Sequence, residues 1–152
     1  MPSLQRLGRR QPFIGCGWTL TELLVVLAIV GILTVLAVPH YQQQQRQVRR
    51  NDARAALQQL LLDQARYRGG HDRFATQLSA LGWPSDRSTQ GHYRLSIVQA
   101  DDQSHVLEAN PVGAQALDTA CAPLRLHWQQ PATVVQSSGA NQDSDPAHCW
   151  GP

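Results

Sequence analysis

At 152 residues the chain has room for one small domain and little more. Its formal charge of +2 is too mild to argue for a nucleic-acid partner, and the distribution says more than the sum: all 13 basic residues are arginine, Arg6, Arg9 and Arg10 precede Gly17, and all 11 acidic residues follow it. From Trp18 onward ten arginines face eleven carboxylates, so the basic character belongs to the first seventeen residues and not to the body.

Leu23 to Val38 is a run of sixteen residues without a charge, in which Thr34 is the one polar side chain. Counted from Trp18 the stretch has 21 residues, which as a helix would span about 31 Å, the thickness of a bilayer's hydrocarbon core. The arginines before it place the amino terminus in the cytoplasm and the remainder outside. A secretory signal peptide would need a shorter apolar core and a small-residue cleavage site, and Pro39-His40-Tyr41-Gln42 does not look like one. A plain signal anchor leaves Gly15-Cys16-Gly17-Trp18-Thr19-Leu20-Thr21-Glu22-Leu23 without a purpose. Glu22 is the odd residue, because a carboxylate at the mouth of an apolar helix is costly in lipid and tends to have a partner and a task. The plainer reading is a cap: Thr19 and Glu22 have capping-box spacing, and an acid in the first turn suits the helix dipole.

Gly17-Trp18-Thr19-Leu20-Thr21-Glu22-Leu23, followed by VVLAIVGILTVLAVPHY, resembles the class III signal of type IV prepilins. The resemblance implies a leader, residues 1–17, removed by prepilin peptidase between Gly17 and Trp18, with methylation of the new amino group on Trp18. It implies that Glu22 pairs with the terminal ammonium of a neighbouring subunit during assembly. Two positions depart from the common pattern: the first mature residue is Trp18 rather than phenylalanine, and Thr21 stands where isoleucine is usual. A bulky apolar first residue is kept, so processing is expected to survive. Physical chemistry agrees with the implied mechanism, since a buried carboxylate and a buried ammonium are each costly and pairing relieves both.

Residues 18–40 are then expected to form the transmembrane and filament-core helix, and residues 41–152 the globular domain. Pro39 costs the helix one hydrogen bond. Tyr41 to Arg68 is rich in Gln, Arg, Ala and Leu, good helix formers, and Tyr41, Val48, Ala53, Ala56, Leu57, Leu60, Leu61 and Gln64 make a rough stripe at helical spacing. This spine should stop at Gly69-Gly70. Arg46, Arg49, Arg50 and Arg54 share a face; contact with phosphates, a neighbouring subunit or DNA is one reading, and a solvated face helped by Asp52 is the favoured one. Residues 69–92 read as a connecting loop with one short turn of helix, in which Phe74, Leu78, Leu81 and Trp83 pack on the spine.

Alternation predicts strands at Tyr93–Gln99, His105–Asn110 and Leu124–Trp128, with Pro111 and Gly113 breaking the second, and a short fourth at Thr133–Val135. One long helix packed on a small antiparallel sheet of three to four strands is an α+β design, and the resemblance makes it the type IV pilin fold. Cleavage after Gly17 would remove Cys16 and leave Cys121 and Cys149, which should bridge in an oxidising compartment. The segment they enclose resembles the carboxy-terminal disulfide loop of pilins, and its surroundings look more sparsely like PilE-type minor pilins.

The six histidines have no metal-ligand spacing, and Asp143 and Asp145 lack a full run of oxygen ligands, so a solvated turn is favoured over calcium. Neither a phosphate loop nor a nucleophile elbow is present. Trp83, Trp128 and Trp150 read as core or loop anchors. The expectation is therefore a chain that is not an enzyme, with no cofactor, metal or catalytic residue: a structural minor subunit of a type IV pilus serving assembly, adhesion or twitching motility. It would sit in the inner membrane by a single span, globular domain periplasmic, and become extracellular in the pilus. Its implied partners are major and minor pilins, prepilin peptidase and the inner-membrane assembly platform. The alternatives are a pseudopilin of a type II secretion system and a DNA-binding competence pilin; DNA, with Arg87, Arg94 and Arg125 as its candidate contacts, is not the favoured partner.

Overall fold

The computed structural model describes residues 19–139 and 146–151. Gly17, Trp18, Cys16, Asp143 and Asp145 lie outside them. The chain divides into two compact units, one ending at Pro39 and one running from His40.

The first helix, α1, is Leu20–Arg68, with Pro39 inside it. In the first unit its large apolar side chains, among them Leu24, Leu27, Ile32, Val35 and Leu36, are exposed. By length and composition this helix is able to cross a membrane, and none of its apolar stretch is buried. Thr34 meets its polar need locally, donating to Val30 O (3.0 Å) and Gly31 O (2.9 Å), as hydroxyls do where no water is available.

The second unit is the α+β domain. Strands β1 (Tyr93–Ala100), β2 (Ser104–Pro111), β3 (Leu124–Gln129) and β4 (Thr133–Ser138) form one antiparallel sheet in the order β1-β2-β3-β4. The final turn of helix, α2, is Pro146–Trp150. Tyr93, Leu95, Leu107, Ala109, Leu124 and Leu126 from alternate strand positions are buried in one core with Ala53, Ala56, Leu57 and Leu60 of α1. Leu78, Leu81 and Trp83 pack against it, as expected, and Phe74 is buried. The connecting segment makes its one turn at Leu78–Leu81, closed by Gly82 at φ +80°, a conformation that glycine adopts without strain.

Three expectations need correction. Tyr41 and Val48 are exposed, and the buried stripe instead includes Arg50 and Asp52. Pro111 ends β2 rather than breaking it beforehand: it pairs with Tyr93 of β1, while the β2–β3 ladder stops at Ala109, so its missing N–H faces no second strand. β4 runs three residues past Val135, because Gln136, Ser137 and Ser138 pair with Leu126, Arg125 and Leu124. Its polar end was hidden from alternation counting, but Ser137 and Ser138 are buried and the Trp150 indole donates to Ser137 O (3.0 Å).

Cys121 and Cys149 are joined, Cα to Cα 5.4 Å, a sequence separation of 28. Closing a loop of that size is worth about 3–4 kcal/mol in the chain-entropy model. Cys121→Ser should therefore lower the melting temperature of the oxidised full-length chain in detergent by many degrees; a melt superimposable on the parent's would contradict this.

His105, 1% exposed, lies between Phe74 (ring centroids 4.5 Å) and Trp128 (5.6 Å, nearly parallel). Burial first, and then the charge of His127, pushes its imidazole down to about 4 against the nearby Asp101. The unfolded imidazole takes up its proton near pH 6.5. The folded form thus has its full advantage above pH 6.5 and loses it as pH falls towards 4, a change of about 3 kcal/mol. His105→Phe should flatten the stability profile in that window, measured as the difference from the parent between pH 7 and 4; parallel profiles would contradict the assignment.

Candidate functional site

At the start of α1 the Glu22 N–H donates to Thr19 Oγ1 (3.2 Å) and the Leu23 N–H to Thr19 O (3.2 Å). Half of the expected capping box is thus formed, and Thr19 satisfies donors that the first helical turn leaves open. No hydrogen bond or ion pair engages the Glu22 carboxylate among the described residues. Thr19 thus caps the start of the helix through its side chain and carbonyl.

The buried face of α1 in the second unit carries a different kind of chemistry. Arg50, 8% exposed, donates from Nε and Nη2 to the two carboxylate oxygens of Asp118 (2.7 and 2.8 Å), a fork-to-fork pair, and from Nη1 to His148 O (3.2 Å). That hydrogen bond with Asp118 raises the guanidinium above its ordinary value, against the opposing effect of burial. Arg54 donates to Cys149 O (2.8 Å); burial, then the neighbouring Arg50 charge, lowers it. Gly151 at φ +73° accommodates that guanidinium, since a Cβ there would stand 3.1 Å from Nη1. The Gln115 amide nitrogen lies within hydrogen-bond distance of Tyr93 Oη (2.9 Å), Asp118 Oδ2 (3.1 Å) and Arg46 O (3.1 Å). Burial pushes the Tyr93 phenol up to about 12, the Gln115 contact opposing it.

Two further side chains of α1 act in the same way. The Asp52 carboxylate accepts from Ser88 Oγ (2.6 Å), Gln90 N (3.0 Å) and His92 N (3.3 Å), holding the connection against the helix just before β1. Gln64 both donates to Ala75 O and accepts from Ala75 N, each at 2.8 Å. The expected solvated arginine face is therefore wrong for Arg50 and Arg54, which clamp the disulfide region. Asp52 does not serve that face; it binds the opposite connection. A local signal existed: Arg50, Ala53, Leu57, Leu60 and Gln64 fall at spacings of three and four, so Arg50 stands in the buried register. Its partner Asp118 is 68 residues away, and no local pattern pairs them.

The sheet's arginines are mostly committed. Arg125 pairs with Glu108 (2.6 Å), and Arg94 with Asp86 (2.9 Å). Arg87 is exposed. The Cys121 and Cys149 sulfurs lie near His148, but the cysteines are joined to each other, so this trio is not a metal site.

Residues 39–125 match the family described as type IV minor pilin ComP, DNA uptake sequence receptor. Over 85 residues the chain is 31% identical to the type IV major pilin protein PilA of Myxococcus xanthus (strain DK1622), a stretch covering 56% of this chain and 39% of that protein. The chain thus matches about two fifths of that relative's length.

Removing one partner of a buried ion pair strands the other, a cost of about 3–5 kcal/mol. Arg50→Met and Asp118→Leu should each destabilise the chain by that order. Arg50→Met with Asp118→Leu should cost clearly less than the two single changes added, because no charge is left stranded. Strict additivity in thermal melts would show that the pair is not coupled.

Proposed function

The chain belongs to the type IV minor pilin family, and on that premise we propose that it is a structural minor subunit of a type IV pilus, cut by prepilin peptidase between Gly17 and Trp18, methylated on Trp18 and assembled through Glu22. As a pilin it is a filament protein and not an enzyme. The observation that supports the assembly role is a carboxylate, Glu22, in the first turn of an exposed apolar helix, with no partner among the described residues. In lipid such a carboxylate is stabilised by a cation, and the new amino terminus of a neighbouring copy supplies one four residues from its own Glu22. Pairing sets the stagger between subunits, and the apolar helices then cover one another once the filament leaves the bilayer.

Major and minor pilins, prepilin peptidase and the inner-membrane assembly platform are the partners this role requires. The domain of residues 41–152 is carried on the periplasmic side before assembly and on the filament surface after it. The disulfide favours a pilus over the pseudopilin alternative, whose corresponding region is more often held by calcium.

A DNA-binding minor pilin is the second reading, because the matched family is described as a DNA uptake sequence receptor. On the sheet side it would rest chiefly on Arg87, since Arg94 and Arg125 already face carboxylates. Binding of duplex DNA that weakens steeply with salt and is lost in the triple Arg87→Ala, Arg94→Ala, Arg125→Ala variant would establish it.

Glu22→Ala should leave cleavage intact but cut incorporation into sheared pili by tenfold or more, read as the ratio of pilus-borne to membrane-borne protein. Incorporation at the parent level would remove Glu22 from the assembly mechanism.

A further inference from the structure

The part of α1 that follows the apolar run carries positive charge that the chain does not answer. Leu23 to Asn51 holds no acidic residue, and its basic residues besides His40 are Arg46, Arg49 and Arg50. Arg50 is paired with Asp118. Arg46 makes one long hydrogen bond, from Nη1 to Leu117 O (3.4 Å), and the Arg49 side chain makes neither a hydrogen bond nor an ion pair among the described residues. Asp52, the next acid along α1, is engaged by Ser88, Gln90 and His92, and Asp118, beside Leu117, by Arg50 and Gln115.

Arg46 and Arg49 line an open groove of about 310 Å³ with Tyr41, Gln42 and Gln45 of α1 and Leu117 of the β2–β3 connection. No carboxylate lines it. Tyr41 and Leu117 are each 66% exposed, so two large apolar surfaces flank the two cations. The Gln45 amide donates to Tyr41 Oη (2.9 Å) and steadies the ring.

Position along the helix selects the partner. Tyr41 is the third residue after Val38, where the apolar run ends, and Arg46 and Arg49 are the eighth and eleventh, about 12 and 17 Å of helix. Side chains on a helix lean towards its amino terminus, here the direction of the apolar run. Arginine can lay its stem along a helix and place its head at a membrane surface, and a tyrosine just beyond a span suits the headgroup layer. Arginines flanking a span belong by rule to its cytoplasmic side. A pair on the domain's side therefore calls for a counter-charge from outside the chain.

We propose that this groove binds the phosphate of an anionic phospholipid in the leaflet on the domain's side, held by Arg46 and Arg49, with Tyr41 and Leu117 against the less polar part of the lipid. The proposal rests on the membrane anchoring proposed above. Guanidinium groups match phosphate oxygens in geometry and charge. A zwitterionic lipid offers the same phosphate but adds a cation that two arginines repel, so an anionic headgroup is preferred. A second copy lying alongside presents the same acid-free stretch of α1 and supplies no counter-charge from it.

The test places the full-length chain in phosphatidylcholine nanodiscs with a trace of spin-labelled phosphatidylglycerol or spin-labelled phosphatidylcholine. Electron paramagnetic resonance reads how much of each label the protein restricts. The parent should prefer phosphatidylglycerol by about threefold or more, less so as salt rises. The Arg46→Gln, Arg49→Gln double variant, whose thermal melt should match the parent's, should lose most of that preference. The Arg73→Gln, Arg87→Gln double variant removes the same charge from two exposed positions elsewhere on the domain and should keep it. Arg6, Arg9 and Arg10 are present in all three chains, so differences between them do not come from the leader. An undiminished preference in the first variant, or an equal loss in the second, would overturn the site. Association between chains that the first variant abolishes without any change in lipid preference would overturn it too, and would give the groove to a second copy. Restricted lipid with no preference between headgroups would sink the groove alone, whereas no restricted lipid of either kind would sink the anchoring as well.

Discussion

The domain is organised by the polar side chains that α1 buries. A single helix under a four-stranded sheet offers a small core, and much of the chain between strands is irregular. Irregular backbone carries donors and acceptors that must be met once buried. The helix meets them: Asp52 holds the segment before β1, Gln64 holds Ala75, and Arg50 and Arg54 hold the disulfide region through Asp118 and two carbonyls of the terminal turn. The disulfide and the Arg50–Asp118 pair secure the same region by different physics. One restricts the unfolded chain, and the other prevents a buried charge from standing alone.

The long apolar helix, the helix stop at Gly69-Gly70, most strand positions and the cysteine pairing were legible in the sequence, because each has a short-range signature: apolar run, glycine pair, alternation, an even pair of thiols. The burial of Leu57, Leu60 and Gln64 followed from helical spacing. What escaped was the sign of the arginine cluster. Arg50 looks like its neighbours Arg46 and Arg49 until Asp118 is brought across 68 residues to meet it. The stretch Gln136-Ser137-Ser138 escaped for a related reason, since its strand state is imposed by the β3 ladder and by Trp150, not by its own polarity. Of the candidate assembly residues, the sequence singled out Glu22 and the structure adds that Thr19 caps the helix backbone. Gly17 and Trp18 lie outside the described residues, and their role rests on the resemblance of the leader.

The family match begins at residue 39, where the apolar stretch ends. The two lines of argument are therefore independent: the globular domain is assigned by its match and its fold, the amino-terminal segment by charge asymmetry, apolar length and the isolated carboxylate. The first gives the pilin family, and the second supports the proposed anchoring and assembly.

The intact mass of the protein from its own host, with prepilin peptidase active and inactivated, decides the matter. The account requires loss of residues 1–17 and gain of one methyl group, both dependent on that peptidase. An uncut chain, or a cut beyond Val38, would contradict it and leave an ordinary anchored or secreted domain.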